Sequence, residues 1–297
     1  MVHTQKRLKF FLNRGDMMQI QKSYNGTPTL YIVPTPIGNL EDITIRALNI
    51  LKEVDIIFAE DTRVTKQLLN YYDINKKLVS SHLYNEKQNI QKEIQSLKEG
   101  KSIAVVSDRG TPIISDPGYI LVKEAIKNNF NVIALPGPTA LIPALIMSGL
   151  GYGAFTFYGF LNNKESKRKR ELEEIKDKKE TIIIYEAPHR IEKTLNNVKE
   201  ILGNRKIAIA REISKKHEEV IRGTVLEVLE KIENIKGEIV LIIEGNKEDK
   251  SFDNISIMDH ISIYLKEGKD SKEAIKQVAK DRNIPKNEVY KEYHQDK

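Results

Sequence analysis

The sequence predicts an α/β protein with two consecutive α/β domains and a small helical module. Short apolar runs alternate with segments whose apolar side chains recur at helical spacing, which is typical of a mostly parallel sheet covered on both faces. A glycine-rich stretch at 149–153 and a polar stretch at 246–254 divide this pattern. The predicted parts are a flexible extension, a first domain, a second domain and the module, at 1–28, 29–150, 151–246 and 255–297.

The composition limits the kinds of function. Cysteine is absent, which excludes disulfides, thiolate metal sites and cysteine catalysis, and the six histidines are scattered without a metal-ligand spacing, so we expect no metal. No apolar run approaches the length of a membrane span, and the apolar segment near the N-terminus is too short for a signal peptide. We therefore expect a cytoplasmic protein with no membrane partner.

The net charge of +6 is weak evidence for a nucleic-acid partner. Four basic residues and one acid within the first sixteen residues supply half of it, and the rest of the chain is only mildly basic. This bias permits binding to nucleic acid but does not require it.

The first domain reads as four strands alternating with helices. The predicted strands lie at 29–33, 56–59, 103–106 and 132–135, and the helical patterns at 43–54, 90–97, up to 126, and 140–147. The loop at 107–118 combines two carboxylates with glycine and proline, and Asp116 followed by Pro117 predicts the start of a helix. Such a loop is either a ligand site at the carboxyl end of a sheet or an ordinary connection with good turn chemistry.

Phosphate-cradling motifs are missing from the strand ends. Two of the strands end in proline where a dinucleotide-binding fold requires a G-x-G-x-x-G loop, and no Walker A motif occurs. NAD and P-loop chemistry are therefore not expected.

The second domain carries its charged residues at the ends of predicted strands, which lie at 155–160, 181–185, 207–210 and 238–243. A basic run at 164–170 leads into a charged helix. This run is either a solvated helix face or a surface that contacts phosphates. Beyond residue 254 three short helical patterns follow, with a turn at 283–285. They suit either a helix-turn-helix module for nucleic acid or a plain helical cap, since their charges nearly cancel.

Six motifs, in order, carry a resemblance to a known family. They read VPTPIGNLED at 33–42, EDTR at 60–63, SDRGTPIISDPG at 107–118, LPGPT at 135–139, YGFL at 158–161 and YEAPHR at 185–190. The chain resembles the tetrapyrrole methylase superfamily, the class III S-adenosylmethionine-dependent methyltransferases. The resemblance implies two α/β domains with S-adenosyl-L-methionine in the cleft between them, and a homodimer.

The resemblance also implies the residues that contact the cofactor. Carried onto this chain, they are Pro36, Ile37, Asp108, Gly110, Thr111, Ile114, Ser115, Gly137, Pro138, Tyr185, Ala210 and Glu238. One position departs from the family pattern, because Arg109 stands where a small residue is usual. We expect its side chain to point to solvent or to form a local pair with Asp108 or Asp116 rather than to meet the cofactor.

The implied reaction is 2′-O-methylation of a cytidine ribose in the decoding region of 16S rRNA, within an assembled small ribosomal subunit. A ribose hydroxyl is a weak nucleophile, so a general base or an electrostatic helper would speed the transfer. The candidate catalytic residues are Glu60, Asp61, Arg63, His189, Arg190 and Glu212, and each acid could equally be part of a structural ion pair. The candidate RNA-binding residues are Lys167, Arg168, Lys169 and Arg170.

Two other functions fit the same fold. One is C-methylation in the corrinoid or sirohaem pathway, which the basic run and the helical module argue against because a small macrocycle needs neither. The other is a non-catalytic RNA-binding assembly factor. Failure to bind the cofactor at high concentration would favour that second alternative.

Overall fold

The computed structural model describes residues 20–23, 25–81, 86–114, 118–151, 153–232, 235–247 and 255–295. The chain divides into two compact units, Met1–Gly245 and Asn246–Lys297. The first unit holds two five-stranded sheets, and the second is helical.

The first sheet is entirely parallel. Its strands are β1 (Thr29–Ile32), β2 (Ile56–Ala59), β3 (Lys77–Ser80), β4 (Ile103–Val106) and β5 (Asn131–Ala134), in the order β3-β2-β4-β1-β5. Its helices are α1 (Ile45–Glu53), α2 (Thr62–Tyr71), α3 (Glu86–Lys98) and α4 (Tyr119–Lys127). Separate apolar cores form on the two faces, one with α1 and α2 and the other with α3 and α4. The predicted parallel sheet with both faces covered is confirmed for this half.

The local predictions for this half hold best where strands are fully buried. The bounds of β2 and β4 are as predicted, because all four side chains of each strand are buried and the apolar runs are continuous. Two elements were not predicted: β3, an edge strand with no fully buried residue, and α2, whose buried residues are only Thr65 and Leu69. The predicted helix start at 116–117 was wrong, since α4 begins at Tyr119 with Gly118 as its N-cap. Asp116 and Pro117 themselves lie outside the described residues.

The second sheet departs from the predicted parallel arrangement. Its strands are β6 (Phe155–Phe160), β7 (Thr181–Glu186), β8 (Lys206–Arg211), β9 (Glu219–Thr224) and β10 (Ile239–Ile243), in the order β6-β7-β10-β8-β9. Only β6 and β7 pair in parallel. The last strand inserts between β7 and β8 and runs antiparallel to both. A buried apolar run looks the same in either direction, so the pattern alone could not reveal this.

Helices again cover both faces of the second sheet. α6 (Glu165–Ile175), α7 (Ile191–Leu202) and α8 (Val225–Lys231) share one apolar core with it. The opposite face receives α5 (Leu141–Ser148), whose Ala144 packs with Ile183 and Ala208. By packing, α5 therefore belongs with the second sheet, although the boundary predicted from the sequence at 150/151 places it with the first.

Part of the predicted flexible extension is attached to the first sheet. The amide of Gln21 donates to the carbonyl of Val132 at 2.9 Å and accepts from its N–H at 2.8 Å. The side chain of Asn131 donates to Asn25 and Thr27. The contacts of Gln21 provide partners for the N–H and the carbonyl of Val132, which would otherwise be unpaired at the open edge of β5.

The second unit contains the three helices predicted for it, α9 (Ile257–Lys266), α10 (Ser271–Asp281) and α11 (Lys286–Gln295). Ile261, Ile275 and Val289 are buried between them. Ser256 and Asp270 cap α9 and α10 by accepting from backbone N–H groups three residues on. None of the described helices is long and apolar enough to cross a membrane.

A buried histidine gives the second unit a testable pH dependence. His260 is fully buried, and burial followed by the nearby charge of Arg282 lowers its pKa below the ordinary 6.5, although Asp281 opposes the shift. Tyr264 also faces the ring. Because the unfolded state then binds more protons than the folded state just below pH 6.5, the unit loses stability as the pH falls through that value.

We therefore expect the hydrogen-exchange protection factors of amides in α9–α11 to fall between about pH 7.5 and about pH 5.5. Amides of α7 in the same full-length chain serve as the reference. The variant His260→Phe should flatten this pH dependence, because nothing remains to take up the proton. An unchanged pH dependence in the variant would assign it to other groups.

Candidate active site

Three loops at the carboxyl edge of the first sheet are fastened to one another. Thr35 and Gly110 exchange two backbone hydrogen bonds of 2.9 Å, which join the loop after β1 to the loop after β4. The hydroxyl of Thr35 also donates to the carbonyl of Ser107 at 3.0 Å. The hydroxyl of Thr111 donates to the carbonyl of Pro138 at 3.0 Å and so adds the loop after β5. This edge is where open parallel sheets place their ligands.

Two glycines permit the close approach of these loops. Gly110 has a φ of +79°, and a Cβ there would lie 3.2 Å from Cγ2 of Ile37. A Cβ at Gly137 would lie 2.6 Å from Cβ of Pro34, closer than real side chains come. Any larger residue at either position would push the loops apart.

Strained backbone marks both sides of the cleft between the sheets. Ile113 has a φ of +80°, which is unusual for a β-branched residue. Across the cleft, Glu212 and Ser214 have φ values of +51° and +67°. Strain of this kind persists where surrounding structure fixes it, and it concentrates at functional sites.

A mostly apolar cavity of about 410 Å³, called here the apolar cavity, lies between the two sheets. Six of the predicted cofactor-contacting residues line it, namely Ile37, Gly110, Thr111, Ile114, Tyr185 and Glu238. Phe160 is 58% exposed at this cavity, and its ring meets that of Tyr185 edge-on at 5.6 Å. The cavity can hold a small molecule against apolar walls with few polar contacts.

The other predicted cofactor residues lie elsewhere. Pro36 and Asp108 line a second cavity, Ala210 is fully buried within β8, and Gly137 and Pro138 act through the loop contacts described above. Ser115 lies outside the described residues. The sequence did not single out Gly237 or Ile213, which also line the apolar cavity and lie outside the six motifs, or Ala187, which lies within the motif at 185–190 but was not among the predicted contacts.

The second cavity, called here the mixed cavity, has a volume of about 610 Å³ and combines polar and apolar walls. Residues of α2 form one side, and Asp108, Glu212 and Lys215 contribute charged groups. Glu212 is the only one of the six predicted catalytic residues that lines either cavity among the described residues.

A charged ridge, formed by Arg109, Glu238 and Lys215, separates the two cavities. Arg109 lines both cavities, and its guanidinium pairs with the carboxylate of Glu238. The ammonium of Lys215 lies 2.9 Å from the other oxygen of Glu238 and 2.8 Å from Glu212. Arg109 is 56% exposed, in agreement with the expectation that it faces solvent, but its partner is not the local Asp108 or Asp116, because its long side chain reaches an acid that only the fold brings near.

The ridge fixes the ionisation of Glu212. The hydrogen bond from Lys215, followed by one from the backbone N–H of Glu238, holds the pKa of Glu212 below its ordinary value. A carboxylate with a lowered pKa is a weak proton acceptor. Glu212 is therefore better suited to positioning Lys215 than to removing a proton.

Of the candidate acids in the first half, Asp61 forms a local pair with Arg63. Asp61 is the N-cap of α2 and pairs with Arg63 at 2.6 Å, and hydrogen bonds from Arg63 lower the pKa of Asp61 to about 2. Arg63 is 87% exposed. Asp108 links this pair to the site, since its carboxylate accepts from the N–H of Asp61 at 3.0 Å. Glu60 lies 3.5 Å from the N–H of Asp108, at the limit of a hydrogen bond.

Arg190 is a mostly buried structural residue. Its guanidinium lies 3.1 Å from the carboxylate of Glu186, which is fully buried and also accepts from Thr194 and from the N–H of Ala187. His189 is exposed and lines neither cavity. The sequence did not single out Glu186, which directly follows a predicted strand within the motif at 185–190.

The basic run divides between surface and interior. Arg168 is only 3% exposed, with its guanidinium bound to Asn197 at 2.8 Å, so the prediction that it contacts RNA is corrected. It lies on the face of α6 that packs on α7. Lys169 pairs with Glu165 and Glu200. The other basic side chains of this run, those of Lys164, Lys167 and Arg170, are exposed.

Metal ligands do not cluster in the part of the chain that the structure describes, where no group of three or more histidine or acidic residues is placed to hold an ion.

Comparison with known proteins gives a family and a set of relatives. The family model described as Tetrapyrrole (Corrin/Porphyrin) Methylases matches residues 29–229. Proteins named ribosomal RNA small subunit methyltransferase I are 48% identical in Bacillus subtilis and 49% in Halalkalibacterium halodurans, each over 94% of this chain and at least 99% of the relative. A protein of that name from Thermotoga maritima is 47% identical and, with 99% of its length, covers 73% of this chain.

Solved structures share the fold at low sequence identity. The methyltransferase CobJ matches with a TM-score of 0.57 at 16% identity, over 74% of this chain and 95% of that chain. The uroporphyrin-III C-methyltransferase of Thermus thermophilus, complexed with S-adenyl homocysteine, matches with a TM-score of 0.53 at 17% identity. The match covers 73% of this chain and 97% of that chain. These likenesses concern the fold alone, and they confirm the predicted fold class.

The contrast between two arginines tests the structural assignment of Arg190. The variant Arg190→Met should lower the free energy of unfolding by about 3–5 kcal/mol, because it leaves the buried carboxylate of Glu186 without its cation. Arg63→Met, which breaks an exposed pair, should change it little. Urea denaturation of both variants measures this, and equal effects would contradict the assignment.

Proposed function

The chain belongs to the tetrapyrrole methylase family, and from this premise we propose that it is an S-adenosylmethionine-dependent methyltransferase acting on small-subunit ribosomal RNA. The finer proposal is transfer to the 2′-oxygen of a cytidine ribose in the decoding region of 16S rRNA. The observation that carries the RNA substrate is identity near one half, over 94% of the chain, to proteins named for that reaction class. The cytidine and its 2′-oxygen rest on the motif resemblance.

The apolar cavity fits the proposed cofactor. Its walls are mostly apolar, with backbone groups of the three fastened loops nearby, and Gly110 leaves a space that a side chain would fill. S-adenosylmethionine supplies an activated methyl group on a sulfonium and carries no phosphate, in agreement with the absence of a phosphate-cradling motif in the sequence. Ile37, Ile114 and Tyr185 would hold its apolar surfaces, and Glu238 would bound its position on the ridge side.

The residues of the chain contribute mainly alignment. Fastening the loops at Thr35, Gly110 and Thr111 keeps the cavity walls in place before the substrate arrives, and holding the reactants in line lowers the barrier to a direct transfer. The acceptor hydroxyl must also lose a proton. Glu212 is held ionised by Lys215 and is a poor base, so we propose a positioning role for it.

The RNA would meet exposed basic groups on the second half. Lys167 and Arg170 are exposed and, in the structure, make no ion pair with another described residue. We propose that they contact phosphates, while Lys169 supports α6 through its pairs with Glu165 and Glu200. An assembled subunit as the substrate would present such phosphates on a fixed surface.

The homodimer is likewise proposed. Ile142 and Ile146, one turn apart on α5, are 39% and 74% exposed. A stripe of exposed isoleucines is a natural component of a subunit interface.

Blocking the apolar cavity tests the cofactor site. Gly110→Val should abolish measurable S-adenosylmethionine binding, because its side chain would press against Ile37 and project into the cavity. Gly100→Val is the matched control, since Gly100 has a similar φ of +84° but faces open space. Isothermal titration of both folded variants measures the affinity. Retained binding in Gly110→Val would place the cofactor elsewhere.

The reaction is tested with methyl-labelled cofactor and small ribosomal subunits from cells that lack this gene. After alkaline digestion, label should appear in an alkali-resistant dinucleotide, because a methylated 2′-oxygen cannot attack the neighbouring phosphate. Label released in mononucleotides would instead mean methylation of a base. Bound cofactor without any labelled RNA would contradict the proposal and direct the search to tetrapyrrole substrates. Failure to bind cofactor would favour the assembly factor.

A further inference from the structure

An aromatic ring stands open to solvent at the mixed cavity. Tyr71, at the end of α2, is 63% exposed and lines this cavity. Its ring meets that of Tyr72 edge-on, with centroids 4.9 Å apart and planes at 84°. The hydroxyl of Tyr72 in turn donates to the carbonyl of Leu40 at 2.5 Å. Tyr71 is thus supported by an anchored neighbour while most of its own surface is free, as in a stacking platform for bases.

The neighbouring wall offers apolar contact and one polar group. Leu40 and Val64 are 36% and 40% exposed at the cavity. Gln67 is also exposed there, and its amide makes no hydrogen bond to any residue that the structure describes. A glutamine amide offers a donor and an acceptor in one plane, which matches the edge of a nucleobase. The volume of about 610 Å³ is within the range of small-ligand sites.

The mixed cavity also lies next to the proposed cofactor site, where the methyl acceptor has to bind. Arg109 lines both cavities, so the mixed cavity adjoins the apolar cavity across the charged ridge. In a direct methyl transfer, the acceptor oxygen approaches the methyl carbon from the side opposite the sulfur, and reactants must be held in that line. The acceptor therefore needs its own compartment next to the one for the cofactor.

We propose that the mixed cavity binds the target nucleotide of the RNA, turned out of its stack. The base lies against Tyr71 with its edge toward Gln67, and the ribose lies beside Asp108 and Arg109. The assignment rests on the proposed function. A nucleotide that remained stacked within its helix could not reach a recessed site, and enzymes that modify a base meet the same constraint by turning the nucleotide out of the stack.

Three variants test the stacking contact. Tyr71→Ala should lower kcat/KM for small subunits by about tenfold or more, the size of one lost base–aromatic stack, and Tyr71→Phe should retain it. Tyr119→Ala is the control, because Tyr119 is 68% exposed on α4 and lines neither cavity. S-adenosylmethionine affinity should be unchanged in all three, which also shows that they are folded. A Tyr71→Ala variant as active as the control would overturn the proposal.

Ultraviolet crosslinking separates failure of this inference from failure of the proposed function. The full-length protein is irradiated with small ribosomal subunits, and crosslinked peptides are identified by mass spectrometry. A nucleotide attached to the segment 64–72 supports the cavity as an RNA site even if no methyl group is transferred. Crosslinks found only elsewhere, with an active enzyme, would overturn the assignment of the cavity while leaving the proposed function intact.

Discussion

The close approach of three loops is the constraint on which the site depends. The paired hydrogen bonds between Thr35 and Gly110 and the contact of Gly137 on Pro34 bring the loops so close that a Cβ would be tight at Gly110 and would clash at Gly137. Because these loops follow β1, β4 and β5 of one rigid parallel sheet, their position is set by buried strands. The site is therefore stabilised by the core beneath it, and its own residues are free to serve binding.

The second half contributes the ridge that divides the cleft. Glu238 accepts from Arg109, carried on a loop of the first sheet, and from Lys215, carried on a loop of the second. Exposed pairs of this kind contribute little to stability, so their value lies in geometry. By holding Glu238 from two sides, they separate an apolar cavity from a mixed one, and a transfer reaction can use each for a different reactant.

Burial decides what each charged group in the motifs does. In the sequence Arg190 is a candidate catalytic residue and Arg168 a candidate RNA-binding residue, yet one neutralises the buried Glu186 and the other is bound to Asn197 inside the second domain. Exposed groups such as Lys167 and Arg170 carry the same charge without that structural task. The relative from Thermotoga maritima bears the same name as the longer relatives, although its match covers only 73% of this chain.

The sequence by itself determined the fold class, the buried strands β2 and β4 and the three helices of the second unit. These follow from local patterns, since a continuous apolar run or a recurrence of apolar side chains at helical spacing keeps its meaning wherever the chain goes. The motif resemblance added six of the residues that line the apolar cavity. Only the tertiary structure decided the direction of β10, the packing of α5, the partner of Arg109 and the burial of Arg168. Each of these depends on residues far apart in the chain, and local periodicity contains no information about which distant side chain will be near.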